Sequence, residues 1–240
     1  MCGRYVVTKP VAKTRDLVTS VNVVGHVDNY NAHPTQKLPI IKFYSTGKIL
    51  EELQWGLTPS WVKEREGRSL INARLETLGE KITFKNLIKN YRCLVVADGY
   101  YEWKRRENVK TPHYFTREDD RLMFFAGIYK DHQFLIITQE ASSHVADIHQ
   151  RQPVIINEED LDAYLNLKIE GTNFLRPYQA PKLKFHPVSN DVNKPANNNK
   201  QLIEAIKNLS LIMKKLSLYV FLVLFFFNIN FVKCKNLRRW

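Results

Sequence analysis

Short apolar runs separated by polar turns fill most of the chain, and their spacing predicts strands more often than helices. Residues 38–44 and 49–55 read as two strands around a Ser45–Gly47 turn. Arg92–Ala97 (RCLVVA) predicts a short buried strand, stopped by Asp98 and Gly99. His113–Thr116, Leu122–Tyr129 and Phe134–Thr138 read as further strands with tight connections, and Pro153–Ile156 as extended. Helical signals are fewer. Residues 9–20 predict a short helix with Thr8 as N-cap and Pro10 in its first turn. Glu76–Tyr91 carries Leu78, Ile82, Leu87 and Ile88 in a mixed helical pattern. Ser142 or Ser143 is placed to cap a short helix that ends near His149; Glu158–Leu167 and Gln201–Lys207 predict two more. Tyr30–Thr35, which holds Pro34, and Asn197–Asn199 read as loops. Strand meanders with scattered helices define an α+β class with mainly antiparallel pairing. The sequence shows no internal repeat and no linker before about residue 208. The expected organisation is one domain over 2–208 and a tail over 209–240.

The tail breaks the pattern. Leu216–Phe227 (LSLYVFLVLFFF) is nearly pure apolar, and extending it to Val232 gives 17 residues, the lower limit for a membrane-spanning helix. Basic residues flank it on both sides, so no orientation follows. A marginal membrane anchor through 216–232, an element packed on the domain, and an appended extension unrelated to the main function all stay open. No basic, then apolar leader follows Met1-Cys2-Gly3-Arg4-Tyr5.

Composition narrows the class. Of 240 residues, 44% are hydrophobic and 25% charged, which excludes collagen, coiled coil and wholesale disorder. The net charge of +12 divides unevenly. Six of the 36 basic residues and no acid lie in 209–240, leaving 30 basic against 24 acidic residues in the body. A mildly basic body permits a polyanionic partner without requiring one. Three cysteines (Cys2, Cys93, Cys234) are too few and too scattered for a disulfide framework or a zinc cluster, and a reducing compartment fits them best. No metal site and no cofactor are expected. The chain lacks a phosphate-binding loop, a dinucleotide fingerprint and an H-E-x-x-H motif.

Cys2 is the informative residue. A lone cysteine is usually a small buried apolar group. Removal of Met1 would change that, because Cys2 would then carry a free α-amine and a thiol on adjacent carbons. The reference pKa values, about 7.7–8.0 for the amine and about 8.5 for the thiol, put both nucleophilic forms within reach of neutrality. A 1,2-aminothiol condenses with an aldehyde: the amine forms a Schiff base and the thiol closes a thiazolidine. An internal cysteine cannot do this.

Seven segments in order resemble one family, the SOS response-associated peptidases (SRAP). They are Met1-Cys2-Gly3-Arg4-Tyr5, Tyr30–Thr35, Trp55-Gly56-Leu57 with Pro59 and Trp61, Ile71–Thr77 (INARLET), Asp98–Lys104 (DGYYEWK), Asp147–Val154 (DIHQRQPV) and Phe185–Ser189 followed by Val192-Asn193. Two departures stand out. His33 separates Ala32 from Pro34, and Gln152 replaces the usual methionine. The resemblance covers the body and none of the tail. It implies a barrel-like domain with peripheral helices that cross-links to abasic sites in single-stranded DNA. On that footing Cys2 is the nucleophile, Asn72 holds the terminal amine and thiol, Glu102 is the acid/base carboxylate and His149 acts at the sugar ring oxygen. Arg4, Arg74 and Arg151 are placed near phosphates, and Pro34 and Trp61 press on bases. Thr138 reads by its strand position as a packing residue. The expected protein is a monomer, cytoplasmic or DNA-associated (nuclear in a eukaryote), acting on single strands such as those at replication forks. A thiol peptidase, a lyase acting at the same Schiff base, and a non-covalent DNA-binding module are the competing readings.

Overall fold

The computed structural model describes residues 2–25, 28–58, 69–176 and 178–206. Pro59, Trp61 and the tail from 209 lie outside these, so their predicted roles have no structural counterpart below. The described residues up to Ala205 form one compact unit.

The strands are β1 (Tyr5–Val7), β2 (Ser20–Val21), β3 (Asn29–Ala32), β4 (Lys37–Tyr44), β5 (Gly47–Trp55), β6 (Asn72–Arg74), β7 (Arg92–Ala97), β8 (Gly99–Arg106), β9 (Val109–Arg117), β10 (Met123–Lys130), β11 (Gln133–Glu140), β12 (Arg151–Pro153), β13 (Ile155–Ile156) and β14 (Leu183–Pro187). The α-helices are short: α1 (Pro10–Thr14), α2 (Ile82–Asn90), α3 (Ser143–Ala146), α4 (Leu161–Leu165) and α5 (Gly171–Leu175). Antiparallel pairing dominates, as the turn-rich pattern predicts. One sheet runs β14-β9-β8-β1-β3. The other runs β12-β11-β10-β7-β4-β5-β2, with β13 on β10 and β6 on β11. A parallel pairing of β11 with β5, Phe134 opposite Trp55, closes β5-β4-β7-β10-β11 into a ring. Closure removes the edges an open sheet would expose.

The core lies between the sheets. Tyr5 reaches from β1 to pack on Trp55 (centroids 5.2 Å apart) and on Phe125 (5.9 Å), and Trp55 stacks on Phe134. Strand alternation sends Val6 to the opposite face, where it joins Tyr101, Tyr114, Val188, Val192 and Leu202 in a second, smaller cluster. Burying each of these large side chains contributes roughly 1.5–3 kcal/mol. Gly99 is required where β8 starts, because a β-carbon there would run into the Phe115 carbonyl and the Tyr114 hydroxyl.

Several elements differ from the sequence reading. Asn29–Ala32 is a strand rather than a loop, because β1 offers it a partner (Tyr5 opposite Ala32) that no local pattern reveals. The extra His33 is absorbed in the turn that follows, where Thr35 adopts φ 78°. β8, which the apolar pattern does not announce, runs to Arg106 and pairs with β9 along its length, and this puts Glu102 in mid-strand. The helices come out shorter. Glu158–Asp160 and Lys200–Ile203 are 3₁₀ turns, as is Leu75–Thr77. The 9–20 helix stops at Thr14, whose hydroxyl donates back to the Pro10 carbonyl at 2.8 Å. At the end of α4 and just past it, the carbonyls of Tyr164, Asn166 and Ile169 are collected by the buried Arg92 guanidinium.

Candidate active site

β1 brings the chain start into the protein. Tyr5 pairs with Tyr100 of β8 on one side and Ala32 of β3 on the other. The Arg4 carbonyl accepts the Tyr101 N–H at 3.0 Å. Arg4 Nη1 donates to Asn31 Oδ1 and to the Val192 carbonyl, both at 2.7 Å. Asn31 is itself buried, with Nδ2 donating to the carbonyls of Val192, Lys194 and Asn197. These contacts fix the residues around Cys2, which is fully buried. Burial, reinforced by the charge of Glu102, holds the Cys2 thiol well above its ordinary pKa, so at neutral pH it is protonated at rest.

Three further residues converge there from distant parts of the chain. Asn72, on β6, donates from Nδ2 to the Cys2 carbonyl at 2.9 Å. Its Oδ1 is buried with no hydrogen-bond partner among the described residues. Glu102 is 2% exposed. It shares the inner face of β8 with Tyr100, two residues away. Burial raises the Glu102 pKa and His149 opposes that only in part. His149 Nε2 lies 3.9 Å from Glu102 Oε2. At the other side of the ring, Nδ1 accepts the Arg151 N–H at 3.0 Å and lies 3.2 Å from the Arg151 carbonyl. With Nδ1 accepting the Arg151 N–H, a neutral ring carries its proton on Nε2, on the Glu102 side. Glu102 and His149 open into a pocket of about 450 Å³ shared with Trp103, Arg105, Lys110 and Asn193. Among the described residues, no group of three or more His, Cys, Asp or Glu is placed to hold a metal ion.

The predicted nucleic-acid contacts separate into two kinds. Arg74 is exposed at the end of β6, and Pro34 is half-buried in the turn after β3. Arg4 and Arg151 are committed inside the protein. Arg151 forks onto Glu76, Nη1 to Oε1 at 2.7 Å and Nη2 to Oε2 at 3.0 Å, and Nη2 also donates to the Thr138 carbonyl at 2.6 Å. Thr138 is fully buried on β11, where it packs and also receives Arg151.

Glu76 is the residue that sequence reasoning passed over. It stood in the INARLET segment beside two assigned residues, but nothing local announces that it faces Arg151, which is 75 residues away. The Tyr5 and Tyr100 hydroxyls were missed too. Both are buried without a hydrogen-bond partner among the described residues, and both lie within electrostatic reach of Cys2. Gln152, where the family pattern has methionine, uses its polarity. Its Oε1 accepts from the Ser142 N–H at 2.9 Å, so it anchors the start of α3.

A buried thiol at Cys2, held by Asn72, thus lies near a carboxylate of raised pKa that opens with His149 into a strand-lined pocket. Residues 1–195 match the family described as SOS response associated peptidase (SRAP), and the chain belongs to it. The abasic site processing protein YoqW of Bacillus subtilis is 33% identical over 226 residues, covering 85% of this chain and all of YoqW. The abasic site processing protein HMCES of Gallus gallus is 32% identical over 201 residues, covering 68% of this chain and 59% of HMCES. A crystal structure of a protein from Bacteroides thetaiotaomicron superposes with a TM-score of 0.75 at 25% identity, covering 86% of this chain and all of that one.

Proposed function

We propose that this protein captures abasic sites in single-stranded DNA as a covalent thiazolidine on Cys2, once hydrolysis of the Met1–Cys2 bond has exposed the Cys2 amine. The observation that carries the reading is the convergence of Asn72, Glu102 and His149 on a buried Cys2. The ring-opened deoxyribose presents an aldehyde. The amine adds to the carbonyl carbon, giving a carbinolamine, and loss of one water gives the imine. The thiol then adds across the C=N bond: sulfur bonds to carbon and the thiol proton ends on nitrogen. The balance is aldehyde plus aminothiol to thiazolidine plus water.

Each matched residue has a part in this sequence. His149, with its proton on Nε2, is suited to donate at the sugar ring oxygen as the ring opens. Glu102 relays protons, and its raised pKa brings it closer to neutrality than an exposed glutamate. Asn72 orients the terminus, and its unpartnered Oδ1 is available to accept from the amine. Arg74 offers an open guanidinium to phosphates. Arg4 and Arg151 add charge behind it while holding the chain start and the His149 segment. Pro34 and Trp61 splay the strand. A missing base makes extrusion of the sugar cheap, and a single strand makes it cheaper still. Such strands are exposed at replication forks, and the domain acts there as a monomer.

Mass spectrometry of the protein incubated with an abasic oligonucleotide tests the reading. The expected product is a denaturation-resistant adduct on a chain lacking Met1, at the summed mass less one water, lost in Cys2→Ala. Normal DNA binding without any adduct would make the domain a non-covalent binder instead.

A further inference from the structure

The tip of the β8–β9 hairpin carries a concentration of charge that the fold does not use. Lys104, Arg105 and Arg106 follow one another on β8, and Arg105 stands directly opposite Lys110 on β9. Like charges placed opposite each other across an antiparallel pair destabilise it. Relief is absent: among the described residues none of these four side chains has an ion pair or a side-chain hydrogen bond, whereas Lys13, Lys42, Lys48, Arg117, Arg151 and Lys184 all have carboxylate partners. The nearest acid in sequence, Glu107, sits in the turn with φ 50°. Arg105, Arg106 and Lys110 are exposed and Lys104 is half-buried.

The position of this charge is specific. Arg105 and Lys110 line the same pocket as Glu102 and His149. On the β1 side of the sheet, β8 is paired at Gly99 and Tyr100 and takes one further bond at Tyr101, leaving the edge beyond Glu102 open among the described residues. The base of the hairpin is firm, because Trp103 Nε1 donates to Asn193 Oδ1 at 2.8 Å. β8 therefore leads from Glu102 to an unneutralised basic tip: Lys104 and Arg106 follow Glu102 on its face at steps of roughly 7 Å, and Arg105 with Lys110 stands on the other face and borders the pocket at the strand edge.

We propose that Arg105 and Lys110, backed by Lys104 and Arg106, bind the backbone phosphates of the strand as it leaves the Glu102–His149 pocket along the β8–β9 hairpin. The proposal rests on the reading of the pocket as a site for DNA, and it adds a phosphate subsite distinct from Arg4, Arg74 and Arg151. Phosphate contacts position a strand without reading its sequence, which suits a lesion that carries no base.

The test uses R105Q/K110Q beside K85Q/K89Q, a control that removes two charges from the exposed face of α2. Affinity for an intact single-stranded 15-mer is measured between 50 and 300 mM salt, and adduct formation is followed separately with 2-deoxyribose 5-phosphate, an aldehyde with no flanking strand. Two lost single-strand phosphate contacts make the log–log salt slope shallower by about 1.4, which is about 25-fold weaker binding at 0.1 M salt. That result in the hairpin variant, with the control close to the parent, supports the subsite. Thermal stability of the hairpin variant should be unchanged or slightly higher, since repulsion is removed. A slope and affinity equal to the parent's, or an equal loss in the control, would overturn it. Failure of the parent to react with the small aldehyde would refute the covalent chemistry and leave the salt slopes to decide on the hairpin by themselves.

Discussion

Replacing Glu76 by Gln tests whether the site depends on the fork that holds Arg151. In the parent, Arg151 Nη1 and Nη2 meet the two Glu76 oxygens at 2.7 and 3.0 Å, and Glu76 Oε1 also accepts the Glu140 N–H at 3.2 Å. Glutamine keeps the shape and can keep the Glu140 bond, but its amide nitrogen then faces a guanidinium, donor against donor. The side chains are 14% (Arg151) and 42% (Glu76) exposed, so solvent screening reduces what a buried pair would contribute. The loss is about 1 kcal/mol, which for a domain of this size lowers the Tm by about 2–4 °C. Burial is the largest influence and raises the Glu76 pKa, yet the Arg151 hydrogen bonds and charge together with backbone N–H bonds outweigh it and hold the carboxyl below its ordinary value. A depressed carboxylate contributes stability above its unfolded pKa and loses it as pH falls through the folded one. The parent–variant difference should therefore be full at pH 7 and shrink below about pH 4.5. Urea unfolding at pH 7 and pH 3.5 reads this directly. Because the Arg151 backbone N–H fixes the His149 tautomer, the variant should also form adduct more slowly on the small aldehyde, with strand affinity nearly unchanged. Equal stability at both pH values together with an equal rate would refute the coupling between the fork and the histidine.

Three other outcomes follow from the same geometry. Glu102→Gln should lower the rate of adduct formation by about 10²–10⁴-fold and abolish its acid limb. In the parent that limb should lie above the ordinary glutamate range, because burial raises the Glu102 pKa and the basic form is the one that accepts the proton; a pH–rate profile with its limb at or below that range would contradict the assignment. Arg74→Gln should make the salt slope for single-stranded DNA shallower by about 0.7, with the Cys2 reaction toward the small aldehyde unchanged. Gly99→Ala should cost about 2 kcal/mol or more in urea unfolding, since the added methyl meets a backbone carbonyl that cannot step aside; a loss under about 0.5 kcal/mol would show that β8 shifts freely.

Local pattern carried most of the second sheet. β4, β5, β7, β10 and β11 are apolar runs bounded by turns, and each was visible because its own residues specify it. The first sheet was harder. β1 is three residues long, and β3 contains two asparagines and a tyrosine, so neither reads as a strand until the other is present. The end of the 158–167 helix was misplaced because a distant group terminates it: Arg92 takes carbonyls in the last turn of α4 and just past it. The site followed the same division. Cys2 stood out by the chemistry open to an aminothiol and Asn72, Glu102 and His149 by the family resemblance alone; the fold sets Asn72 on Cys2 and Glu102 beside His149. Glu76 and the two buried tyrosine hydroxyls were not, because their significance lies in what they face across the sheets.

The placement of β1 explains how the proposed nucleophile at the second residue is held. Chain ends ordinarily fray. Here Tyr5 is wedged between β8 and β3 with its ring on Trp55 and Phe125, and Arg4 is tied to Asn31 and Val192. These contacts supply rigidity but also bury the thiol and raise its pKa, so Cys2 is a poor nucleophile at rest. In the proposed reaction the amine therefore attacks first, and the thiol closes the ring only once Glu102 takes its proton. On that proposal, the burial that slows the thiol toward other electrophiles reserves it for an aldehyde already held as the imine.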